Sequence, residues 1–304
     1  MKCRVCRERA VISVRRHNAG FCRSHFIEHI HRQVARTISD HHMFDAGERL
    51  VLGVSGGKDS LALWEILTQL GYRVDGVYLH LGIGEYSSDG LRLSRRFASE
   101  RDLSLRVIDL GTEHGFSIPE AARLTSRVAC SACGLSKRYL LNEAAAEMGY
   151  DVLVVGHNLD DEAAVLLGNV LRWEVDYLAR QRPVLPTADG GLVRKVKPLL
   201  RVAERETAAY AVLRGIQYEI EECPMAAGNT INRYKEWLNR LEEQSPGLKA
   251  QFLFGFLDRG AAYFPPDPPE LLACGECGRP TPGETCSFCR LKKVTVLRIA
   301  RRSA

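Results

Sequence analysis

The stretch VLGVSGGKDS, residues 51–60, decides the reading of this chain. An apolar run ends in a glycine pair. Lys58, Asp59 and Ser60 then open a segment with Leu63, Ile66, Leu67 and Leu70 at the i, i+3, i+4, i+7 spacing of an amphipathic helix. Strand, glycine turn and helix in that order place successive backbone N–H groups of Ser55, Gly56 and Gly57 around an anion, with the helix dipole behind them. Lys58 adds a positive charge, and Asp59 can hold a magnesium ion directly or through water. A Walker A loop requires G-x-x-x-x-G-K followed by Ser or Thr. Leu52 stands where its first glycine should be and Asp59 where its hydroxyl should be, so a different phosphate bond is the one expected to break.

Outward from the loop, strands recur at VDGVYL, LRVIDL and DVLVVG, separated by segments of helical spacing. That alternation predicts an α/β fold with a doubly wound parallel sheet. Ligands bind such sheets at the carboxyl ends of the strands, near the point where the connections reverse. The glycine loop, His80 and the GHNLDDEA segment at 156–163 all follow strands. Cys130 and Cys133 are placed in a connection just ahead of a helix at 134–148, and Cys223 follows an expected strand, IQYEI. Residues 224–262 read as helical and FPPDPPELLA, 264–273, as a proline-rich linker. The organisation predicted is a knuckle over 1–30, a catalytic body over 31–223, a helical extension over 224–264 and a second knuckle with a basic tail over 265–304.

The ten cysteines fall into groups. Cys3, Cys6, Cys22 and His25 form one, with His17, His29 and His31 close enough in sequence to compete for the last place. Cys274, Cys277, Cys286 and Cys289 form another. Paired C-x2-C turns put thiolates at adjacent corners of a tetrahedron, so both groups predict structural zinc. Cys130, Cys133 and Cys223 remain, and three thiols cannot close a tetrahedral site unaided. Their spacing leaves open a catalytic zinc with a free position, a redox disulfide, or three corners of an iron-sulfur cubane.

The chain has 304 residues, 45% of them apolar and 26% charged, with no apolar run long enough to cross a bilayer. The basic, cysteine-bearing start MKCRVCRERA does not suit a secretory signal, so a soluble cytoplasmic protein is expected, with no membrane partner. Net charge is +5, concentrated at the ends: residues 1–36 hold nine Lys/Arg against Glu8 and Glu28, and the last fifteen hold six with no acid. Such ends suit an anionic macromolecule.

SGGKDS resembles the PP-loop of N-type ATP pyrophosphatases, which cleave between the α and β phosphates and pass AMP to a substrate oxygen. The whole chain resembles the two-zinc-finger tRNA 2-thiouridine synthetases, most closely the TtuA type. The likeness is carried by the amino-terminal knuckle, VSGGKDSLAL, LGIGEYS, RVACSACGLSKRY, GHNLDDEA, EECP and the final knuckle, in order along nearly the full length. It implies ATP-dependent adenylation of the uridine C2 oxygen followed by sulfur transfer, with the T-loop 5-methyluridine of tRNA as target. Gly53, Val54, Ser55, Gly56, Gly57, Lys58, Asp59, Ser60, His80 and Gly156 would border ATP and Mg2+. Cys130, Cys133 and Cys223 would bind a [4Fe-4S] cluster whose open iron holds sulfide. Lys137 would steady charge on the departing phosphate or activated base, and Asp161 would act as the catalytic aspartate, with Asp160 the alternative helix cap. Two Zn2+, tRNA and a ubiquitin-like thiocarboxylate sulfur carrier complete the implied set, with a homodimer as the assembly to test. Rival expectations are a wobble-uridine thiolase and a non-catalytic zinc-ribbon RNA-binding module.

Overall fold

The computed structural model describes residues 1–187, 191–226, 228–266 and 271–303. The chain opens with a hairpin of β1 (Ile12–Val14) and β2 (Ala19–Phe21), turned at Asn18 in the left-handed region that asparagine tolerates. Helix α1 (Arg23–Asp40) follows, burying Phe26, Ile30, Val34 and Ile38 along one stripe. Next come β3 (Leu50–Val54), α2 (Lys58–Gln69), β4 (Val74–His80), α3 (Gly84–Ser99) and β5 (Leu105–Asp109). The short helices α4 (Leu110–His114) and α5 (Ile118–Leu124) lead to the long α6 (Ala129–Glu147) and to β6 (Val152–Val154). After them run α7 (Leu159–Arg172), α8 (Val175–Ala179), β7 (Val184–Leu185), β8 (Arg194–Val196) and α9 (Glu204–Arg214). The chain ends with α10 (Thr230–Gln244), α11 (Leu248–Asp258), β9 (Leu272–Ala273), β10 (Pro280–Thr281) and α12 (Ser287–Ser303).

One six-stranded sheet, in the order β5-β4-β3-β6-β8-β7, organises the molecule. Its neighbours pair in parallel except β7, which runs antiparallel to β8. The chain winds outward from β3 to β5, then returns to the other side of β3 with β6. The reversal therefore falls between β3 and β6, the place where such sheets hold ligands. Successive β3 residues divide between two cores: Leu50, Leu52 and Val54 pack with α1, α2 and α9, while Val51 joins Leu153 and the apolar faces of α5, α6 and α12. Burial on both faces is why this strand reads as an unbroken apolar run, each fully buried Leu or Val contributing about 2 kcal/mol.

Two expectations change, and part of a third lies outside the described residues. Ile216–Ile220 pairs with no strand; Ile216 is buried but Ile220 is 81% exposed, so the alternation has no second apolar face to bury. The segment instead lies against the glycine loop, Glu219 N–H donating to the Gly56 carbonyl at 2.9 Å. Helix α6 begins at Ala129, ahead of the expected 134, because the Val128 carbonyl already accepts from Ser131 and Ala132 N–H; Cys130 and Cys133 lie on its first turns. Part of the proline-rich stretch, 267–270, lies outside the described residues.

Candidate active site and metal centres

The three central strands bring the polar clusters together. Gly53 and Val54 end β3, Ser55, Gly56 and Gly57 form the turn, and Lys58, Asp59 and Ser60 make the first turn of α2. Gly56 has φ +78°, and a Cβ there would lie 2.6 Å from the Gly90 backbone, so only glycine lets the loop press against α3. Ser60 draws the loop closed: its hydroxyl accepts from Ser55 N–H at 3.1 Å and donates to the Gly57 carbonyl at 3.0 Å. Ser55 Oγ also accepts from Gly57 N–H at 3.3 Å, so two of the three amides expected to face an anion bond to the loop's own hydroxyls. Gly57 caps α2 with no side-chain acceptor, which leaves the first-turn donors of that helix without a side-chain cap. Gly156, after β6, packs so closely that a Cβ would sit 3.2 Å from Ser60 N. His80 ends β4, its Nδ1 3.0 Å from Asp109 Oδ2.

A chain of charges runs from this loop to Asp161. Lys58 Nζ is 3.1 Å from Asp59 Oδ2 and 2.8 Å from Glu204 Oε1; Lys235 Nζ is 3.1 Å from Glu204 Oε2 and 2.5 Å from Asp161 Oδ1. Burial works against the charge on Lys58, but Asp59 and Glu204 outweigh it and hold the ammonium above its ordinary range. Burial also opposes ionisation of Glu204, yet Lys235 and Lys58 hold that carboxyl down at about 2. At Asp59 burial prevails and pushes the carboxyl up, against the pull of Lys58 and of a 2.5 Å hydrogen bond from Thr207 Oγ1. Asn158 Nδ2 donates to the same Asp59 oxygen at 3.1 Å.

Helix α7 is capped by Asn158, not by a carboxylate. Asn158 Oδ1 accepts from Asp161 N–H and Asp161 Oδ2 from Asn158 N–H, both at 3.0 Å. Asp160 is no cap either: it is buried, ion-paired with Lys249, and accepts from Glu204 N–H at 2.8 Å. Asp161 thus serves the helix and faces Lys235 with its other oxygen.

The remaining thiols gather at the same end of the sheet. Leu141 of α6 fills the space over Gly53, and Lys137 lies one helical turn nearer the strand's carboxyl end. Burial pushes the Cys133 thiol up, Lys137 pulls it back, and Cys223 and Cys130 add to the rise, so the three sulfurs and the ammonium share one neighbourhood. Cys130 Sγ is 3.5 Å from the Met225 carbonyl, and Tyr86, whose hydroxyl burial pushes up, borders Cys223 and Cys133. Cys223 opens onto a groove of about 520 Å³ lined by Asn229, Asn232, Arg233 and Glu236.

Among the described residues, two sets bring their ligand atoms within 4.8 Å of one another: Cys3, Cys6, Cys22 and His25, and Cys274, Cys277, Cys286 and Cys289. Bonds of 2.3 Å to a tetrahedral ion put thiolates about 3.8 Å apart. The Cys6–Cys22 sulfurs are 3.6 Å apart and Cys277–Cys286 3.9 Å, so both sets fit one zinc each. His25 takes the fourth place, its Nδ1 3.1 Å from Cys22 Sγ, while His31 is turned to the Tyr210 hydroxyl. Cys130, Cys133 and Cys223 are not drawn into such a knot; a cubane, which carries its thiolates on separate irons, needs them further apart. All ten cysteines are free of disulfides.

Sequence reasoning missed Glu204, Thr207 and Lys235. No motif marks Glu204 or Thr207, and Lys235 falls within the stretch read only as helical; the packing of α9 and α10 against α2 and α7 makes them part of the site.

A glycine loop at the reversal point of a parallel sheet, with no Walker hydroxyl and an aspartate beside its lysine, defines a PP-loop nucleotide-binding protein, and a family model described as the PP-loop domain matches residues 26–238. A second, the N-terminal LIM domain of 2-thiouridine synthetase TtuA, matches residues 2–27. The chain belongs to the family of TtuA 2-thiouridine synthetases. It is 48% identical to the tRNA-5-methyluridine(54) 2-sulfurtransferase of Thermus thermophilus, over 99% of this chain and 94% of that one. With the enzyme of the same name from Thermotoga maritima it shares 41% identity over 96% of each. A solved structure, the U34-tRNA thiolase NcsA of Methanococcus maripaludis with its [4Fe-4S] cluster, superposes with a TM-score of 0.84 at 26% identity, covering 96% of both chains.

Proposed function

We propose that the protein is an ATP-dependent tRNA-uridine 2-sulfurtransferase acting on 5-methyluridine at position 54, the target in the names of its relatives at 48% and 41% identity. The observation that carries the reading is the meeting, at one end of one sheet, of a phosphate loop, a paired Asp161 and three thiols outside both zinc knuckles.

The uridine C2 oxygen is a poor leaving group and must be activated. It attacks the α-phosphorus of ATP; the bond to the bridging oxygen breaks, and pyrophosphate departs. Sulfide then adds at C2 and AMP leaves with the former oxygen. Ser55, Gly56, Gly57 and Ser60 would hold the phosphates, trading their internal bonds for the anion, and Gly53, Val54, His80 and Gly156 would border the nucleotide. Lys58 would neutralise the leaving pyrophosphate while Asp59 holds Mg2+. Asp161, paired with Lys235, would orient the base, and Lys137, with no carboxylate partner among the described residues, would meet charge on the activated oxygen. Cys130, Cys133 and Cys223 suit a [4Fe-4S] cluster, which when bound supplies a Lewis-acidic iron for sulfide.

The two knuckles, each with one Zn2+, and the basic ends would read tRNA shape and phosphates. A ubiquitin-like thiocarboxylate carrier would deliver sulfur, in the cytoplasm, with a homodimer as the assembly; among the described residues no helix is long and apolar enough to cross a membrane. The division into 1–30, 31–223, 224–264 and 265–304 is retained with one qualification in geometry: α1 runs unbroken through 30 and 31. Wobble uridine is the second reading, favoured by the thiolase that superposes on this chain.

The deciding experiment loads the protein with cluster anaerobically, adds ATP, sulfide and tRNA bearing 5-methyluridine, and maps thiolated nucleosides by mass spectrometry. 5-Methyl-2-thiouridine is expected. Thiolation in the anticodon instead would transfer the assignment to wobble uridine, and ATP turnover without any thiolated nucleoside would end the sulfurtransferase reading.

A further inference from the structure

We infer that Arg16, in the amino-terminal knuckle, is a positioning residue for the nucleotide loop, acting through the first turn of α9. The inference rests on reading that loop as an ATP site, not on the identity of the RNA target.

Arg16 sits in the turn between β1 and β2. Its guanidinium grips Glu206 with both arms, Nε to Oε1 at 3.0 Å and Nη2 to Oε2 at 2.7 Å, and Nη2 also donates to the Arg201 carbonyl at 2.7 Å. The side chains are 8% and 6% exposed, so this is a desolvated, geometrically fixed pair and not a screened surface contact. Glu206 has a second duty. The N-cap of helix α9 is Ala203, which has no side-chain oxygen to offer, and Glu206 Oε2 reaches back to accept from Ala203 N–H at 2.9 Å. The start of α9 therefore depends on a carboxylate that the knuckle holds.

That same turn grips the catalytic loop. Glu204 takes Lys58 at 2.8 Å, and Thr207 donates to Asp59 at 2.5 Å. Glu206 lies between them in sequence, and a helical turn is stiff, so a shift at Glu206 moves both contacts together. Space to shift exists: a cavity of about 390 Å³, lined by Arg15, Arg16, Glu204, Glu206, Asp160 and Lys249, lies beside the turn. Cutting the Arg16 anchor leaves the turn room to drift and Lys58 and Asp59 without their fixed partners. The knuckle is thus a strut for the nucleotide site as well as an RNA-facing module. Arg23 provides a control, since it ties the same region to the far end of α9 by donating to the Leu213 carbonyl at 2.6 Å, away from the loop.

The test uses full-length, zinc-loaded wild type, Arg16→Met, Thr207→Val, their double variant and Arg23→Ala. Zinc content, melting temperature, Kd for ATP by calorimetry, and KM and kcat for tRNA-dependent AMP formation are measured. Arg16→Met is expected to weaken ATP roughly tenfold, chiefly in Kd and KM, as misplacement of positioning groups does. The double variant should bind ATP no more weakly than the worse single one, and Arg23→Ala should match wild type in its Kd for ATP, the one readout for which it is the control. Unchanged ATP affinity in Arg16→Met, equal loss in Arg23→Ala, or full additivity in the double variant overturns the strut. Should Arg16→Met lose zinc or fail to fold, Arg16→Lys is scored instead: it keeps the charge and loses the fork, so intermediate affinity is expected and wild-type affinity overturns the inference. Wild type that binds ATP but makes no thiouridine would sink the sulfurtransferase reading alone.

Discussion

Lys58 reaches Glu204 at 2.8 Å across 146 positions of sequence. Lys235 and Lys58 together set an acid limit on the site through Glu204. Glu204 has its carboxyl held at about 2, against an ordinary value of about 4.5 in the open chain. Between those values the unfolded chain binds the extra proton, so the stabilisation is complete above the open-chain value and is lost as pH falls through about 2. Urea midpoints measured from pH 5 to pH 2 should fall with acidity, and Glu204→Gln should flatten that fall. An unchanged slope in the variant would assign the acid sensitivity to other carboxylates.

Glu162 is buried beneath the site, bonded to Lys197 at 2.6 Å, Gln181 at 2.7 Å and His157 at 3.1 Å. Lys197→Met strands its charge and should cost about 3–5 kcal/mol in chemical denaturation. Adding Glu162→Gln should recover part of that loss; no recovery would show that the charge is not the cause.

Lys195, on β8, has the opposite balance. Burial, with Lys197 and Arg138 beside it, lowers its ammonium to about 8, and it has no ion pair among the described residues. A folded value below the open-chain value of about 10.5 means that the unfolded state binds more protons between the two, so stability rises with pH across that window. Lys195→Met should raise the melting temperature at pH 7, with the gain shrinking from pH 8 towards pH 10. A variant less stable than wild type at pH 7 would contradict this.

Gly56→Ala meets two obstacles, a left-handed φ of +78° and the Gly90 backbone 2.6 Å from the new methyl. The conformational term alone costs about 1–2 kcal/mol. Calorimetry should find ATP binding lost, and denaturation should find at least that destabilisation.

The metal centres should separate by substitution. Serine at Cys130, Cys133 or Cys223 should remove iron and its visible absorption while two zinc ions per chain remain, one for each knuckle. Cys277→Ser should lose one zinc and keep the iron. Retained iron in all three single variants would remove the cluster from this site.

The loop, the strands around it and both knuckles were legible because each follows a local rule: an apolar run, helical spacing, or a C-x2-C turn. IQYEI obeyed the strand rule too, yet the edges of the sheet lie with β5 and β7, and the segment spends its Glu219 amide on Gly56. The start of α6 is hidden in the sequence because no capping residue announces it; Val128 offers no side-chain acceptor. Asp161 was legible from its motif, but its partner Lys235 was not. That bond exists only because α10 packs on α7, and no local pattern at residue 235 records it.

The grip of Thr207 and Glu204 on Asp59 and Lys58 also orders events at the ribosome. The loop leaves the exit tunnel early, but the residues that fix its lysine and aspartate are translated some 146 positions later. A half-made chain can pair β3 with β4 and still present an unsecured loop. The finished nucleotide pocket is therefore a late product of translation, closed by α9 after most of the sheet is in place.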